Sequence, residues 1–491
     1  MRREFGDFQT PPDLAREVLD CCRREAGAWT RALEPTCGTG AFIAALLSLD
    51  EPPREVHGIE VQDGHADEAR RFGADGCRVT ITRSSIFDLQ LGSDLSWQSR
   101  GPLLVIGNPP WVTNAELGAL GSRNLPIKRN VKRLSGLDAM TGASNFDICE
   151  AIWLKLLEDL APQEPLIALL CKTAVARNVL QFAAQRAIPV ERGFVRRIDA
   201  ARWFGAAVDA CLFGLHLHRD AHNYEVPVYD SLTSTTPSSI MGVEGGKLVA
   251  DVEAYRASSF ADGRSSLVWR QGVKHDAGGV MELAGESPES GLTNRSGEDV
   301  DVEPEFLFPM MKGSDVASGR SRAKWMILPQ RVLGEDTRAL EHRAPRLWRY
   351  LTRHEHAFAK RKSSIYRGQP PFATFGIGTY TFADFKVAIS GLSKQPRFLA
   401  VSPRDGRPVV FDDTCYFVPC GSAGDAARLA AILNSPPALA LLRALVFTDA
   451  KRPVTKGLLQ RLDVSALATA MPRAELSRLV PRAWPASPPR T

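Results

Sequence analysis

Apolar positions in the first 220 residues fall into short unbroken runs separated by stretches of helical spacing. Leu103-Leu-Val-Ile-Gly107 and Leu166-Ile-Ala-Leu-Leu-Cys171 carry almost no polar residue. Such runs mark strands covered on both faces, as in a parallel sheet. Arg31–Glu34 and Val56–Val61 read as shorter strands of the same kind, and Trp203–Leu215 as a loop entering another. Between them the period changes. Ala41–Leu47 continues from a glycine-containing turn as a helix, and Ile148, Ala151, Ile152 and Leu156 share one face of a second helix opened by Ser144-Asn-Phe-Asp147. Alternating strands and helices to about His218 predict an α/β domain with a mostly parallel sheet.

Beyond Tyr224–Tyr229 the pattern loosens into the Ser/Thr/Pro loop 231–239 and short strand-like pieces with aromatic and glycine punctuation. Lys386–Ser390, Phe411–Tyr416 and a helix at Ala426–Asn434 predict a mixed α+β second domain. The boundary is placed at 225/226, giving domains 1–225 and 226–491. Residues 282–305 hold eight acids against one Arg, with Gly, Ser and Pro throughout, which predicts an exposed acidic loop.

Composition adds bounds. With 491 residues, 44% of them apolar, the chain can fill two cores. No apolar run is long enough to span a bilayer and no apolar signal segment follows Met1, so a soluble, unexported, cytoplasmic protein is expected. The nine cysteines include no Cys-x-x-Cys pair and the nine histidines no metal spacing, so reduced core thiols and no metal are expected. A net charge of +5 is too small to name a partner. Local clusters say more. Gly121–Arg133 contains Arg123, Lys128, Arg129, Lys132 and Arg133 with no acid, and residues 341–367 hold eight Lys or Arg against two Glu. Both suit the phosphates of a nucleic acid, and Lys360, Arg361, Lys386 and Lys451 are further candidate contacts to it.

The candidate chemistry begins where the strand at 103–107 ends. Asn108-Pro109-Pro110-Trp111 forms a stiff turn in which two prolines fix φ and remove two donors. Acceptors then cluster beside an indole: the Asn108 side-chain oxygen and main-chain carbonyls, that of Pro109 among them. Such a corner suits a planar ring whose amino group donates two hydrogen bonds while the ring is stacked. Upstream, Glu34-Pro35-Thr36-Cys37-Gly38-Thr39-Gly40 joins strand to helix through two glycines that admit a ligand close to the backbone. Glu60 stands twenty residues after Gly40, at the end of the next strand, where a carboxylate holds ribose hydroxyls. With Glu34-Pro35 in place of a phosphate-binding loop, the pattern favours a nucleoside cofactor without pyrophosphate. Near the N-terminus, Thr10 is a good helix cap, with prolines in the first turn and Asp13 placed to complete a capping pair.

These segments resemble the cofactor and catalytic motifs of bacterial DNA adenine-N6 methyltransferases, best the gamma group of restriction–modification systems. The resemblance implies a Rossmann-like class I methyltransferase domain followed by a target-recognition domain, with S-adenosylmethionine as cofactor and duplex DNA as substrate. It nominates Thr10, in Asp7-Phe-Gln-Thr10-Pro-Pro-Asp13, for the methionine end of the cofactor. It also nominates Ser85 and Ile86, where Ser85 stands at a position the family usually fills with Asp, and Phe146 beside the cofactor adenine. Phe204 takes the place of the aromatic that stacks on the extruded adenine, next to Trp111. Lys172-Thr173 departs from the proline more usual there. Other acceptors on the same fold remain open: cytosine N4, an RNA base or a protein glutamine. So does a catalytically silent DNA-specificity subunit. A separate restriction endonuclease is a possible companion, and no fused nuclease is expected.

Overall fold

The computed structural model describes residues 9–112, 147–320 and 322–471. Phe146 and the basic positions Arg123, Lys128, Arg129, Lys132 and Arg133 lie outside the described residues. The chain divides into two compact units, Met1–Val252 and Glu253–Thr491.

The first unit is built on one ten-stranded sheet. Its strands are β1 (Arg31–Glu34), β2 (Glu55–Glu60), β3 (Arg78–Arg83), β4 (Leu103–Gly107), β5 (Leu166–Lys172), β6 (Val190–Ile198), β7 (Ala210–Leu217), β8 (Val226–Tyr229), β9 (Ser239–Glu244) and β10 (Lys247–Val249). The order is β10-β9-β8-β6-β7-β5-β4-β1-β2-β3. Pairings from β3 through β5 are parallel, whereas β7 runs antiparallel to both β5 and β6. The helices are α1 (Pro12–Ala26), α2 (Ala41–Leu47), α3 (Asp63–Ala69), α4 (Ile148–Leu160) and α5 (Thr173–Gln185). This is the α/β, mostly parallel, Rossmann-like sheet expected. Every residue of β4 is buried, as its unbroken apolar run requires. The strand order reverses between β1 and β4, the switch point where sheets of this kind open a crevice at the strands' carboxyl ends.

The boundary differs from the expected 225/226. Val226–Tyr229 pairs with β6, and β9 and β10 extend the same sheet, so ladder hydrogen bonds carry the first unit on to Val252. The cap of α1 differs too. The helix begins one residue later than a Thr10 cap requires, with Pro11 at the cap position, and the Asp13 carboxylate pairs with Arg16 instead.

The second unit is mixed α+β, with two four-stranded sheets. One contains β11 (Arg270–Gln271), β15 (Phe385–Ser390), β16 (Phe398–Val401) and β18 (Cys415–Cys420); the other contains β12 (Glu282–Ala284), β13 (Leu307–Met311), β14 (Lys324–Ile327) and β17 (Val410–Phe411). The segment 282–305 is the exposed acidic loop its composition suggests only in part: Glu286, Glu289, Asp299, Asp301 and Glu305 are exposed, but the chain between them is anchored. Leu283, Leu292 and Val302 are core residues, packed in one cluster with Leu347, Tyr350 and Leu351 of helix α6 (Pro345–Arg353). Three of its eight acids meet that helix. Glu303 accepts hydrogen bonds from the backbone amides of Arg346 and Leu347 at 2.9 Å each. The Arg346 guanidinium reaches Asp301 at 2.6 Å, and Glu298 takes Arg353 at 2.8 Å and His354 at 2.7 Å. Composition marks the acidic and basic stretches as separate features, yet much of their charge is mutual.

Among the described residues no helix is long and apolar enough to cross a membrane, and no group of three or more His, Cys, Asp or Glu could hold a metal ion. The nine cysteines are unbridged.

Candidate active site

One cleft lies at the switch point. It holds about 950 Å³ of empty space, part of it open to solvent, and its walls come from the carboxyl ends of β1, β2 and β4, the segment after β3 and the start of α4. Thr10, Glu34, Pro35, Cys37, Gly38, Glu60, Ser85, Ile86, Asn108 and Pro110 all line it. Residues spread along a long stretch of sequence are thus gathered at one place. Gly40 stands just behind this lining, in the turn.

The glycine turn is shaped by two backbone conformations that L side chains rarely adopt, φ +52° at Gly38 and +91° at Gly40. A Cβ on Gly40 would come within 2.9 Å of the Phe72 ring, and one on Gly38 within 3.0 Å of the Gln9 amide oxygen. That oxygen also accepts the Thr39 hydroxyl at 2.9 Å, tying the segment before α1 to the turn. Glu60, expected to face ribose, is buried and braces the turn as well. One carboxylate oxygen accepts the Gly38 amide at 2.9 Å and the other the Gln62 amide at 2.8 Å. A carboxylate has about four acceptor sites, so capacity remains on the cleft side.

Glu34 is different. Only 2% of it is exposed, and its Oε2 atom has no hydrogen-bond partner among the described residues. Burial pushes its carboxyl well above the usual carboxylate range, the Ile43 backbone opposes this and the nearby Glu60 adds to it. A buried carboxyl with one oxygen left open on a cleft wall is suited to a cationic ligand, whose charge would favour its ionised form. Three residues on, burial likewise pushes the Cys37 thiol far up, which makes it an inert packing group. On the opposite wall the Ser85 hydroxyl accepts the Phe87 amide at 3.3 Å and caps a short turn of 3₁₀ helix. Asp88, the nearest acid to the position where the family usually has Asp, is not in the lining.

At the end of β4, Asn108 and Pro110 face the cleft while Pro109 is buried. Trp111 turns inward and is 7% exposed, with its indole N–H donating to the Leu170 carbonyl at 3.2 Å. Phe204, at the end of a short helix after β6, meets the indole edge-on with ring centroids 5.2 Å apart and planes at 75°. The two aromatics singled out from distant motifs are therefore partners.

The basic candidates fare unequally. Lys360 and Lys451 are exposed. Lys386 is 1% exposed, and its ammonium donates to the Ala383 and Val409 carbonyls beside the rings of Phe411 and Phe417. It cannot reach a phosphate. Arg361 is half-buried, donating to the Ala373 carbonyl at 2.6 Å with its guanidinium 3.7 Å from the Tyr366 ring centre, so it serves its own unit. Motif spacing does not reveal the pair Lys172 and Asp147. The signal available is a lysine closing an otherwise apolar strand.

The switch-point cleft, the glycine turn and the sheet order define an S-adenosylmethionine-dependent methyltransferase of the class I fold. No family model matches the chain. It is 35% identical over 475 residues to the Type II methyltransferase M.NspV of Nostoc sp. (strain ATCC 29411 / PCC 7524), covering 95% of this chain and 97% of that one. A shorter likeness, 33% over 115 residues, links it to the Type II methyltransferase M.CvrRI of Paramecium bursaria Chlorella virus XZ-6E, covering 23% of this chain and 26% of that one. The Type IIL restriction-modification enzyme MmeI, solved in complex with DNA, shares the fold with a TM-score of 0.55 at 13% identity; the match covers 91% of this chain and 64% of that longer one. The chain belongs to the Type II methyltransferase family.

The residues present fit that cofactor. Glu34 offers a buried carboxyl with one unpartnered oxygen to a ligand bearing an ammonium and a sulfonium, and the side-chain-free turn at Gly38 leaves room for close backbone approach.

Proposed function

We propose that the protein methylates the N6 amino group of an adenine in duplex DNA at a specific sequence, as the modification enzyme of a restriction–modification system. The observation that carries this reading is the Asn108-Pro109-Pro110 turn, which sets a side-chain carboxamide on the wall of the same cleft that holds Glu34, Glu60 and the glycine turn.

When bound, S-adenosylmethionine supplies a methyl group on a sulfonium, transferred to nitrogen as the C–S bond breaks and the N–C bond forms. The protein's part is to prepare the acceptor. The adenine amino nitrogen is a weak nucleophile because its lone pair is conjugated with the ring. The Asn108 oxygen and the Pro109 carbonyl accept its two hydrogens and favour a pyramidal nitrogen whose lone pair is free to react. Asn is neutral, so it orients the amine without taking the proton, which leaves to solvent after transfer. Catalysis then rests on positioning and fixed dipoles. The target must leave the helix, at a cost of a few kcal/mol. Stacking on the partly exposed Phe204, which the buried Trp111 indole supports edge-on, offsets this by roughly 1–3 kcal/mol for a stacked base.

The test is methyl transfer from labelled S-adenosylmethionine to mixed-sequence duplex DNA, with nucleoside analysis, for wild type and Asn108→Ala. N6-methyldeoxyadenosine that falls on the order of 10²–10³-fold in the variant, with cofactor affinity kept, is the expected result. Label in cytosine, in RNA or in protein, or no label at all, would overturn the reading.

A further inference from the structure

Lys172 ends β5, next to β4 in the sheet, and its side chain crosses to the catalytic turn. The ammonium donates to the Trp111 carbonyl at 2.7 Å and to the Asp147 carboxylate at 2.8 Å. Asp147 is 8% exposed, and its second oxygen accepts the Cys149 amide at 3.0 Å as the cap of α4. Burial raises the Asp147 carboxyl, and the Lys172 ammonium opposes that rise. One further bond closes the assembly: the Ile148 amide donates to the Val112 carbonyl at 3.0 Å. Ile148 and Ile152 of α4 line the cleft on the cofactor side. Among the described residues a shielded ion pair, together with this backbone bond, therefore joins the Asn108–Trp111 turn to the helix that walls the cleft.

We propose that Lys172, held by Asp147, is a positioning residue that fixes the Asn108–Trp111 turn against α4 and so aims the Asn108 carboxamide at the acceptor. This inference rests on the reading of the Asn108 turn given above. Two features make the lysine suited to the task. It is the sort of compact charge that can hold a main-chain carbonyl and a carboxylate at once. The bridge is also largely shielded, with side-chain exposures of 25% for Lys172 and 8% for Asp147, so solvent screens it little. Without the clamp the turn stays attached at Val112 and through the Trp111 indole, but the main-chain carbonyl of Trp111 loses its link to Asp147 and α4. A displacement near ~1 Å at a reacting group lowers turnover by about 10²-fold.

The experiment compares wild type, Lys172→Met, Lys172→Arg, Asp147→Asn and Asn108→Ala in single-turnover methylation, S-adenosylmethionine affinity by calorimetry, and thermal melting. Lys172→Met is expected to slow methyl transfer by about 30- to 100-fold while cofactor Kd stays within about threefold and the melting temperature within a few degrees. Lys172→Arg should recover much of the rate. Asp147→Asn keeps a side chain that caps the helix but removes the charge, and should fall between the two. Full activity in Lys172→Met overturns the clamp while leaving the Asn108 reading intact. Cofactor binding and melting temperature lost in proportion to rate, in both Lys172→Met and Asp147→Asn, would assign the pair to folding and likewise overturn it. A wild type that methylates no DNA adenine sinks the underlying reading itself, a result separate from any difference among the variants.

Discussion

The two units use charged side chains in opposite ways. In the first, two acids from separate strands reach one cleft, where Glu34 keeps an unpartnered oxygen and Glu60 braces the glycine turn, while Lys172 with Asp147 holds the Asn108–Trp111 turn on its wall. In the second, charge is turned inward on the architecture. Glu298, Asp301 and Glu303 hold α6 through Arg353, Arg346 and the helix's own amides, and Lys386 is sealed beneath aromatic rings. A buried charge is thus a weak guide to function until its partners are known. What separates the units is whether partners satisfy each other or leave capacity facing a cavity.

The largest test of this contrast is Lys386. Burial lowers its ammonium from the usual 10.5 to about 8, since carbonyls and rings do not replace a carboxylate. Below pH 8 both folded and unfolded chains hold the proton, and the fold bears the cost of a buried cation. Between pH 8 and 10.5 the folded chain has released it and the unfolded chain has not. This contribution to stability therefore rises with pH, by up to about 3 kcal/mol. Denaturant midpoints of wild type and Lys386→Met should diverge in favour of wild type as pH climbs from about 8 to about 10. Parallel curves would show that the lysine is better solvated than its surroundings imply.

Next in size is Glu60→Ala, which removes the acceptor of the Gly38 and Gln62 amides. S-adenosylmethionine affinity measured by calorimetry should drop by about 10²-fold, in line with roughly 1.5–3 kcal/mol for a hydrogen bond to a charged group. A change under about threefold would mean that the turn keeps its shape without this brace. The smallest effects divide the basic stretch 341–367 in two. Arg346→Ala with Arg353→Ala should lower the stability of the second unit by no more than about 1 kcal/mol per pair and leave the salt dependence of DNA binding alone. Lys360→Ala with Lys362→Ala should do the reverse, reducing the slope of log affinity against log salt by about one for each phosphate no longer neutralised. If the arginines moved the slope instead, their acids would have to release them on DNA.

The first unit is largely legible in the sequence because its signals are local. An apolar run ending in Gly107-Asn-Pro-Pro, two glycines after Glu34 and an acid at the end of β2 each lie within one strand–turn segment, and the parallel fold itself gathers those segments at the switch point. The boundary at 252/253 is not legible, because β8–β10 join the sheet through long-range pairing that such short strands do not announce. Lys172 is visible only as an oddity, since its meaning depends on Trp111 and Asp147, placed beside it by strand order. In the second unit the acidic and basic stretches stand far apart in the chain, and composition cannot say that two opposite charges will meet. For the same reason Lys386 looks like a surface cation: its neighbours in sequence do not reveal the rings of Phe411 and Phe417.

The ten-stranded sheet has one more consequence, for self-association. An open sheet ends in two rows of unpaired amides and carbonyls, each a template on which another chain can add a strand. Here one edge is β3, Arg78-Val-Thr-Ile-Thr-Arg83, with an arginine at each end and threonines between. The other is β10, three residues long, opened by Lys247 after the tight Gly245-Gly246 turn. Arg78 at one end of that border, the Arg83–Asp63 pair at the other, and too few rungs on the opposite edge all work against a second copy adding a strand.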